Sequence, residues 1–158
     1  MDSQLIAIRD GKYDKAISLA HDKLKSKPDD AASHFTLAQA YEAKGEIKQA
    51  LSSALIVVSA LPDSFEALSL AAQCASQTEL HDDAYKYAMS ALENVVKPDF
   101  STPTKFIFKV LSLIPGLKAI GKTENLVIET HKKQAEWLHQ YVEWYENQSP
   151  NKKHQRTP

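Results

Sequence analysis

Residues 116–123 match a motif with a known chemistry. Gly116, Gly121, Lys122 and Thr123 fit the phosphate-binding pattern G-x-x-x-x-G-K-[ST]. In a nucleotide site, backbone N–H groups of such a loop surround the phosphates, the lysine reaches the terminal ones and the hydroxyl helps to hold magnesium. That site also needs a parallel sheet with a second strand that supplies an aspartate. The 35 residues after Thr123 read as one helix and a tail, so we interpret the motif as a glycine-containing connector between two helices.

Other charged residues have spacings that could hold a metal or activate a nucleophile. Glu136, His139 and Glu143 share one face of a predicted helix, but one helix offers too few ligands, and this spacing is usual for a solvated stripe. His21 and His81 each precede an aspartate, without a serine or cysteine placed by a recognisable motif. We therefore expect no catalytic residue, no metal, no cofactor and no enzymatic activity.

A repeat interval of 34 residues organises the first 98 residues of the chain. The columns that keep this interval are Ala16, Ala50 and Ala84; Ala20, Ala54 and Ala88; Leu24, Val58 and Leu92; Tyr13, Ile47 and His81; Gly11 and Gly45; and Pro28 and Pro62. Residues 31–64 show helical periodicity in both halves, a break at Gly45 and an end at Pro62. The sequence therefore predicts an internal repeat of antiparallel helical hairpins.

These columns resemble the tetratricopeptide repeat family. Repeat two supplies the consensus residues His34, Leu37, Ala38, Tyr41, Gly45, Ile47, Ala50, Ala54 and Pro62. Repeat three, residues 65–98, is looser, since Glu79 replaces the turn glycine and Val96 the proline. Repeat one, residues 1–30, has a complete second helix and a shortened first helix. The resemblance implies an all-α superhelix of one truncated and two full hairpins, and a family of scaffolds that bind other proteins.

Residues 99–148 are predicted to form a helical cap, because the last repeat of a solenoid exposes an apolar face. We expect a helix over 106–114, a break at Pro115 and Gly116, a long helix from about Thr123 to Asn147, and a disordered basic tail over 149–158. The long helix has one apolar face with Ile128, His131, Ala135, Leu138, Val142 and Tyr145. A second stripe, Trp137, Tyr141 and Trp144, either packs on the repeats or binds a partner.

The resemblance also implies where a partner would bind, since the first helix of each hairpin lines a groove in this family. The candidates are Phe35, Gln39 and Glu42 in repeat two and Ser69, Gln73 and Gln77 in repeat three. Further groove-facing candidates on the same first helices, which we call the wider rows, are Thr36 and Ala43 in repeat two, Glu66, Leu70 and Ser76 in repeat three, and Leu5, Ile8 and Arg9 in repeat one. Arg9 is the one Lys, Arg or Asn among them, so we expect amide contacts to a peptide rather than a clamp for carboxylates.

Composition and charge restrict the remaining choices. The chain has 158 residues, 43% of them hydrophobic, with 4 Gly, as expected for one helical domain. Residues 1–96 carry a net charge of −5 and residues 97–158 a net charge of +4. The longest apolar stretch, residues 106–120, contains two lysines and is shorter than the ~20 residues of a membrane span. Without a signal-like N-terminus, we expect a cytoplasmic location.

Cys74 is the single cysteine, so the chain cannot form an intramolecular disulfide. Its position among small residues of a first helix predicts a buried, unreactive thiol.

The hypothesis we favour is a non-catalytic adaptor or scaffold that binds a protein or peptide through the groove, the C-terminal aromatic helix, or both. One alternative is a secretion or assembly chaperone for a dedicated partner. Another is a membrane-surface module that uses the basic, apolar residues 106–122, and the last is a nucleotide-binding enzyme that uses residues 116–123. We expect no nucleic-acid partner and no membrane insertion, and a homodimer through an exposed solenoid end stays open.

Overall fold

A computed structural model of the protein describes residues 3–94 and 118–149. This part of the chain forms seven α-helices and no strands. The helices are α1 Ser3–Arg9, α2 Tyr13–Ser26, α3 Ala31–Ala43, α4 Ile47–Ala60, α5 Phe65–Gln77, α6 His81–Glu93 and α7 Lys118–Gln148. The all-α fold that the sequence predicts is confirmed.

Helix boundaries keep the 34-residue interval of the sequence. The second helices α2, α4 and α6 begin at Tyr13, Ile47 and His81. The first helices α3 and α5 begin at Ala31 and Phe65, with the same interval. Consecutive hairpins therefore have equivalent helices at equivalent positions, which is the arrangement of a helical-repeat superhelix.

The alanine columns are buried between the helices. All six of their side chains are fully buried: Ala16, Ala50 and Ala84, and Ala20, Ala54 and Ala88. A methyl group in each position lets two helix backbones approach closely, whereas a larger side chain would overpack the contact.

Short polar side chains begin two of the first helices. Asp30 accepts a hydrogen bond from the backbone N of Ser33 at 3.0 Å, and Ser64 accepts one from the backbone N of Ala67 at 3.3 Å. Each satisfies an N–H group that has no partner within its own helix. The residues that follow Pro28 and Pro62 therefore set the starts of α3 and α5.

The turn inside each hairpin uses left-handed backbone geometry. Gly11 and Gly45 have φ angles of +70° and +78°, and Glu79 occupies the same column with a φ of +62°. Glycine adopts this conformation without the steric cost that a β-carbon brings. Repeat three thus keeps the turn of the other repeats although it lacks their glycine.

Each described helix packs against the next described helix in sequence. The first helices of the hairpins also contact one another. α1 contacts α3, α3 contacts α5, and α5 contacts α7. α7 packs mainly on α6, where its buried Leu138, Val142 and Tyr145 lie on the face that the sequence predicts. α7 therefore continues the row formed by α1, α3 and α5.

The start of α7 corrects one prediction. The helix begins at Lys118, and not at about Thr123, so Gly121, Lys122 and Thr123 lie within it. A glycine inside a helix costs only about 1 kcal/mol relative to alanine, too little to end it here. Residues 118–123 therefore do not form the phosphate-wrapping loop that the motif requires, nor the connector that we predicted.

Several predictions fall outside the described residues. They are the helix over 106–114, the break at Pro115 and Gly116, the end of repeat three and most of the basic tail. The membrane-surface hypothesis rests mainly on the same undescribed segment. Among the helices that the structure describes, none combines the length and the apolarity needed to cross a bilayer.

Candidate functional site

A groove of about 500 Å³ lies along the first-helix row. Its lining comes from α1, α2, α3, α5 and α7, and consists of Ile8, Tyr13, Phe35, Gln39, Glu42, Ala43, Glu66, Leu70, Gln73, Thr130, His131 and Gln134. Four of the six groove residues predicted from the sequence are among them: Phe35, Gln39, Glu42 and Gln73. The structure thus brings these four side chains together around one open volume.

Ser69 does not belong to this surface. Its side chain is fully buried, and its hydroxyl donates to the backbone oxygen of Phe65 at 2.6 Å. The reason is that α5 is enclosed by α3, α4, α6 and α7, so most of its residues are buried. Thr36 of the wider rows is buried as well, and its hydroxyl donates to Gln4 Oε1 at 3.2 Å.

Gln77 is exposed but lies away from the groove. Together with Thr78 and Glu79 it lines a shallow pocket against Gly45 of the α3–α4 turn and Lys48 of the first turn of α4. It is the last residue of α5, so its side chain reaches the turns and not the groove.

Two carboxylates line the groove. The side chain of Glu42, on α3, makes no hydrogen bond or ion pair with any described residue. Glu66, on α5, has Oε1 3.3 Å from Nε2 of His131, and its Oε2 accepts from the hydroxyl of Ser64 at 3.2 Å. The groove lining contains no Lys or Arg among the described residues, so these two side chains determine its formal charge.

α7 closes one side of the groove. The ring of His131 packs edge-on against Phe65 with centroids 5.3 Å apart, as its position on the predicted apolar face suggests. Gln134, one turn further along, has its Oε1 buried without a hydrogen-bond partner among the described residues. Sequence reasoning did not assign His131 or Gln134 to the groove, because the path of α7 across α5 depends on a contact between distant segments.

A second surface is built around α7 and the start of α6. We call His81, Trp137, Tyr141 and Trp144 the aromatic cluster. The rings of Trp137 and Tyr141 stack at 5.3 Å, those of Tyr141 and Trp144 lie 5.6 Å apart, and Trp144 meets His81 at 5.3 Å. Trp144 is 45% exposed, whereas Trp137 and Tyr141 are half-buried. Part of the stripe therefore packs, and its C-terminal end reaches the surface.

Tyr141 joins this cluster to α6. Its hydroxyl oxygen lies 3.0 Å from Nδ1 of His81. Burial, and after it the neighbouring Tyr145 and Asp82, raises the pKa of the Tyr141 phenol, so Tyr141 stays protonated and can donate a hydrogen bond.

The candidate nucleophile and the candidate metal ligands of the sequence are not placed for either chemistry. Cys74 is fully buried, and burial, with a smaller effect of Glu42, raises the pKa of its thiol to about 11. It is therefore protonated at neutral pH and a poor nucleophile. Glu136, His139 and Glu143 are exposed on α7, and within residues 3–94 and 118–149 there is no group of three side chains that could bind a metal.

Together these features define an all-α, helical-repeat protein with a groove along its first helices. Residues 7–74 match the family model of the tetratricopeptide repeat, in agreement with the hairpins and their 34-residue interval. Residues 7–74 are therefore tetratricopeptide repeats. Repeats of this family generally bind other proteins and are typically non-catalytic. No curated protein matches the sequence significantly.

Proposed function

We propose that this protein is a non-catalytic adaptor that binds a peptide segment of another protein in the groove between α3, α5 and α7. The observation that carries the proposal is the joint presence of Phe35, Gln39, Glu42 and Gln73 on one open concave surface. A concave site with apolar walls and a few polar groups is the usual form of a ligand-binding surface. We place the adaptor in the cytoplasm, because a chain with one buried cysteine has no disulfide that would need an oxidising compartment.

The two groove glutamines suit recognition of a peptide backbone. Gln39 and Gln73 occupy the same column of consecutive repeats, 34 residues apart. Their side-chain amides make no hydrogen bond to any described residue, so each offers both a donor and an acceptor to a ligand. Adjacent packed helices lie roughly 8–10 Å apart, which lets the two amides contact successive parts of one bound chain.

The apolar walls would supply most of the binding free energy. Phe35 is half-buried and Leu70 mostly buried, and both line the groove with Ile8 and Tyr13. Apolar side chains of a partner would cover this surface and remove it from water, at about 25 cal/mol per Å². The amides would then determine the position of the partner along the groove.

The test is a comparison of two double variants with the same partner. A partner is captured from the source organism with the wild-type protein and identified, and its dissociation constant is measured by calorimetry. We expect Gln39→Ala/Gln73→Ala to weaken binding by about tenfold or more, since each lost hydrogen bond is worth ~1 kcal/mol. The control is Gln49→Ala/Ser52→Ala, which removes two exposed polar side chains of α4 outside the groove and should leave the constant unchanged. Equal affinities of the two variants would move the binding site away from the groove.

The exposed end of the aromatic cluster supports a second binding surface. Trp144 is a large side chain left 45% exposed beside rings that hold it in place, and tryptophan is enriched among residues that dominate binding energy. For the same partner, Trp144→Ala should weaken binding at this surface. Ile56→Ala is the control, because Ile56 is 44% exposed on α4. If both variants bind like the wild type, the cluster serves packing alone.

A further inference from the structure

We propose that the groove selects a cationic segment, in which arginine or lysine residues stand beside apolar ones. This inference rests on the proposed function and adds the chemical class of the partner. Its basis is that the groove lining carries two carboxylates, Glu42 and Glu66, and no Lys or Arg, within the residues that the structure describes.

The two carboxylates lie toward opposite ends of the groove. Glu66 is in the first turn of α5, whereas Glu42 is near the end of α3, the equivalent helix of the preceding repeat. When the two repeats are aligned by their 34-residue interval, Glu42 stands ten positions after Glu66. Ten residues correspond to roughly 15 Å along a helix axis. A partner could therefore meet one carboxylate with each of two basic residues, while the apolar residues between them cover Phe35 and Leu70.

The neighbouring cations of the repeats are engaged elsewhere. Arg9 pairs with Asp10 at 3.1 Å. Lys44, which follows the groove residue Ala43, has its ammonium group 2.6 Å from Asp14 and 3.1 Å from Glu46. Hydrogen bonds to these two carboxylates raise the pKa of Lys44 and hold its charge at the turns. These cations therefore do not offset the negative charge of the groove.

The remaining polar groups add acceptors for a donor-rich ligand. Gln134 Oε1 is buried without a partner among the described residues, and Glu42 has no ion-pair partner among them. A guanidinium group carries five N–H donors in a planar fork, and it also stacks favourably on aromatic rings such as Phe35 and Tyr13. Residues 1–96 carry a net charge of −5, which would speed the approach of a cationic partner. An acidic partner would place like charges against Glu42 and Glu66.

The experiment selects peptides from a random displayed library on the full-length protein. Wild type is compared with Glu42→Gln/Glu66→Gln, which keeps the size of both side chains and removes their charge. The control is Glu129→Gln/Glu143→Gln, which makes the same chemical change at two exposed glutamates of α7. Circular dichroism confirms that every variant is folded. We expect arginine and lysine to be enriched in the peptides selected by the wild type and by the control, and not in those selected by the groove variant.

A selected peptide then serves as the probe for fluorescence anisotropy. We expect its affinity to fall about tenfold or more in Glu42→Gln/Glu66→Gln, and to fall with added salt in the wild type because mobile ions screen exposed charges. Neutral or acidic peptides that lose binding in Gln39→Ala/Gln73→Ala would overturn the charge inference and leave the groove as the binding site. If no selected peptide depends on Gln39 and Gln73, the proposed function fails and this inference fails with it.

Discussion

The two ends of the helical array are closed by different chemistry. At the N-terminal end, a buried amide, Gln4, joins α1 to α3 through hydrogen bonds. At the C-terminal end, the buried aliphatic residues Leu138 and Val142 join α7 to the last repeat. The same repeat geometry therefore accepts a polar closure on one side and an apolar closure on the other.

The polar closure is a connected network. Gln4 is 3% exposed, and its Nε2 donates to Ser33 Oγ at 3.1 Å while its Oε1 accepts from Thr36 at 3.2 Å. Ser33 Oγ also donates to Asp30 at 2.7 Å. Because hydrogen bonds depend on direction, this network fixes how α1 sits on α3 even though α1 has only 7 residues.

The apolar closure has its polar contacts at the edge. Leu138 and Val142 pack in one cluster with Phe65 and Leu68 of α5 and with Ala88 and Ala91 of α6. At this edge the Tyr145 hydroxyl donates to Asp82, and the Tyr85 hydroxyl donates to Glu146 at 3.0 Å.

The repeat interval therefore fixes the positions of the helices but not the interactions that stabilise the two ends. A buried leucine contributes more free energy than a single hydrogen bond, whose net value is ~1 kcal/mol after the loss of water contacts. The stability of the fold should therefore depend more on α7 than on α1.

Leu138→Ala is predicted to have the largest effect. It removes a fully buried side chain and leaves a cavity between α6 and α7, so the free energy of unfolding should fall by about 3 kcal/mol. Urea denaturation followed by circular dichroism measures this change. Gln140→Ala, on the exposed side of the same helix, should change it by less than about 0.5 kcal/mol. Similar stability of the two variants would show that α7 does not seal the last repeat.

Asp30→Ala should have a smaller effect at the polar end. The variant loses the cap of α3 and the hydrogen bond from Ser33, so the free energy of unfolding should fall by about 1 kcal/mol at neutral pH. Asp29→Ala is the matched control, since Asp29 is exposed and does not cap the helix. A loss that exceeds that of Leu138→Ala would reverse the order of the two ends.

Stability should also depend on pH through Asp30. The Ser33 hydroxyl, then Lys27 and Lys23, hold the pKa of the Asp30 carboxyl well below its usual range. The lowered pKa means that the folded state favours the carboxylate, so this stabilisation is complete above the unfolded pKa of ~3.9 and is lost as the pH falls below it. The stability difference between wild type and Asp30→Ala should narrow in that acidic range. If the stability difference between wild type and Asp30→Ala stays constant throughout the acidic range, the role of the carboxylate is contradicted.

The turn column gives expected effects no larger than that of Asp30→Ala. Glu79→Gly should raise the free energy of unfolding by about 1 kcal/mol, because glycine adopts positive φ without steric cost. Gly45→Ala should lower it by a similar amount, and purely through backbone strain, since the space around Gly45 is open. Thermal unfolding of both variants is the measurement. Destabilisation by Glu79→Gly would mean that the Glu79 side chain contributes more than its strained backbone costs.

The sequence predicted the features that repeat. Alanines at 34-residue spacing, such as Ala50 and Ala84, are fully buried as a shared column requires. Gln39 and Gln73 line the groove because equivalent residues of equivalent helices face the same way. Leu138 and Val142 are buried because apolar spacing along a long helix shows its packed face.

Features that depend on contacts between distant segments could not be predicted in this way. Gln4 stands in the column of Ala38 and Ala72, so a polar residue in a small-residue column was the available signal for the buried network. Ser69 lies one turn before Gln73, but more residues are buried in α5 than in α3, and only the packed structure shows this. The start of α7 at Lys118 could not be predicted either, because the cost of placing Gly121 inside a helix is small enough for the helix to extend past it.

The most direct test of the account is to ask which residues touch a bound partner. A photoreactive amino acid is placed at Gln73 in the groove or at Gln49 on the exposed side of α4, and cross-links to the captured partner are mapped by mass spectrometry. We expect cross-links from position 73 that an excess of unlabelled protein suppresses, and none from position 49. Cross-links from position 49 alone would show that the partner binds elsewhere and would contradict the assignment of the groove.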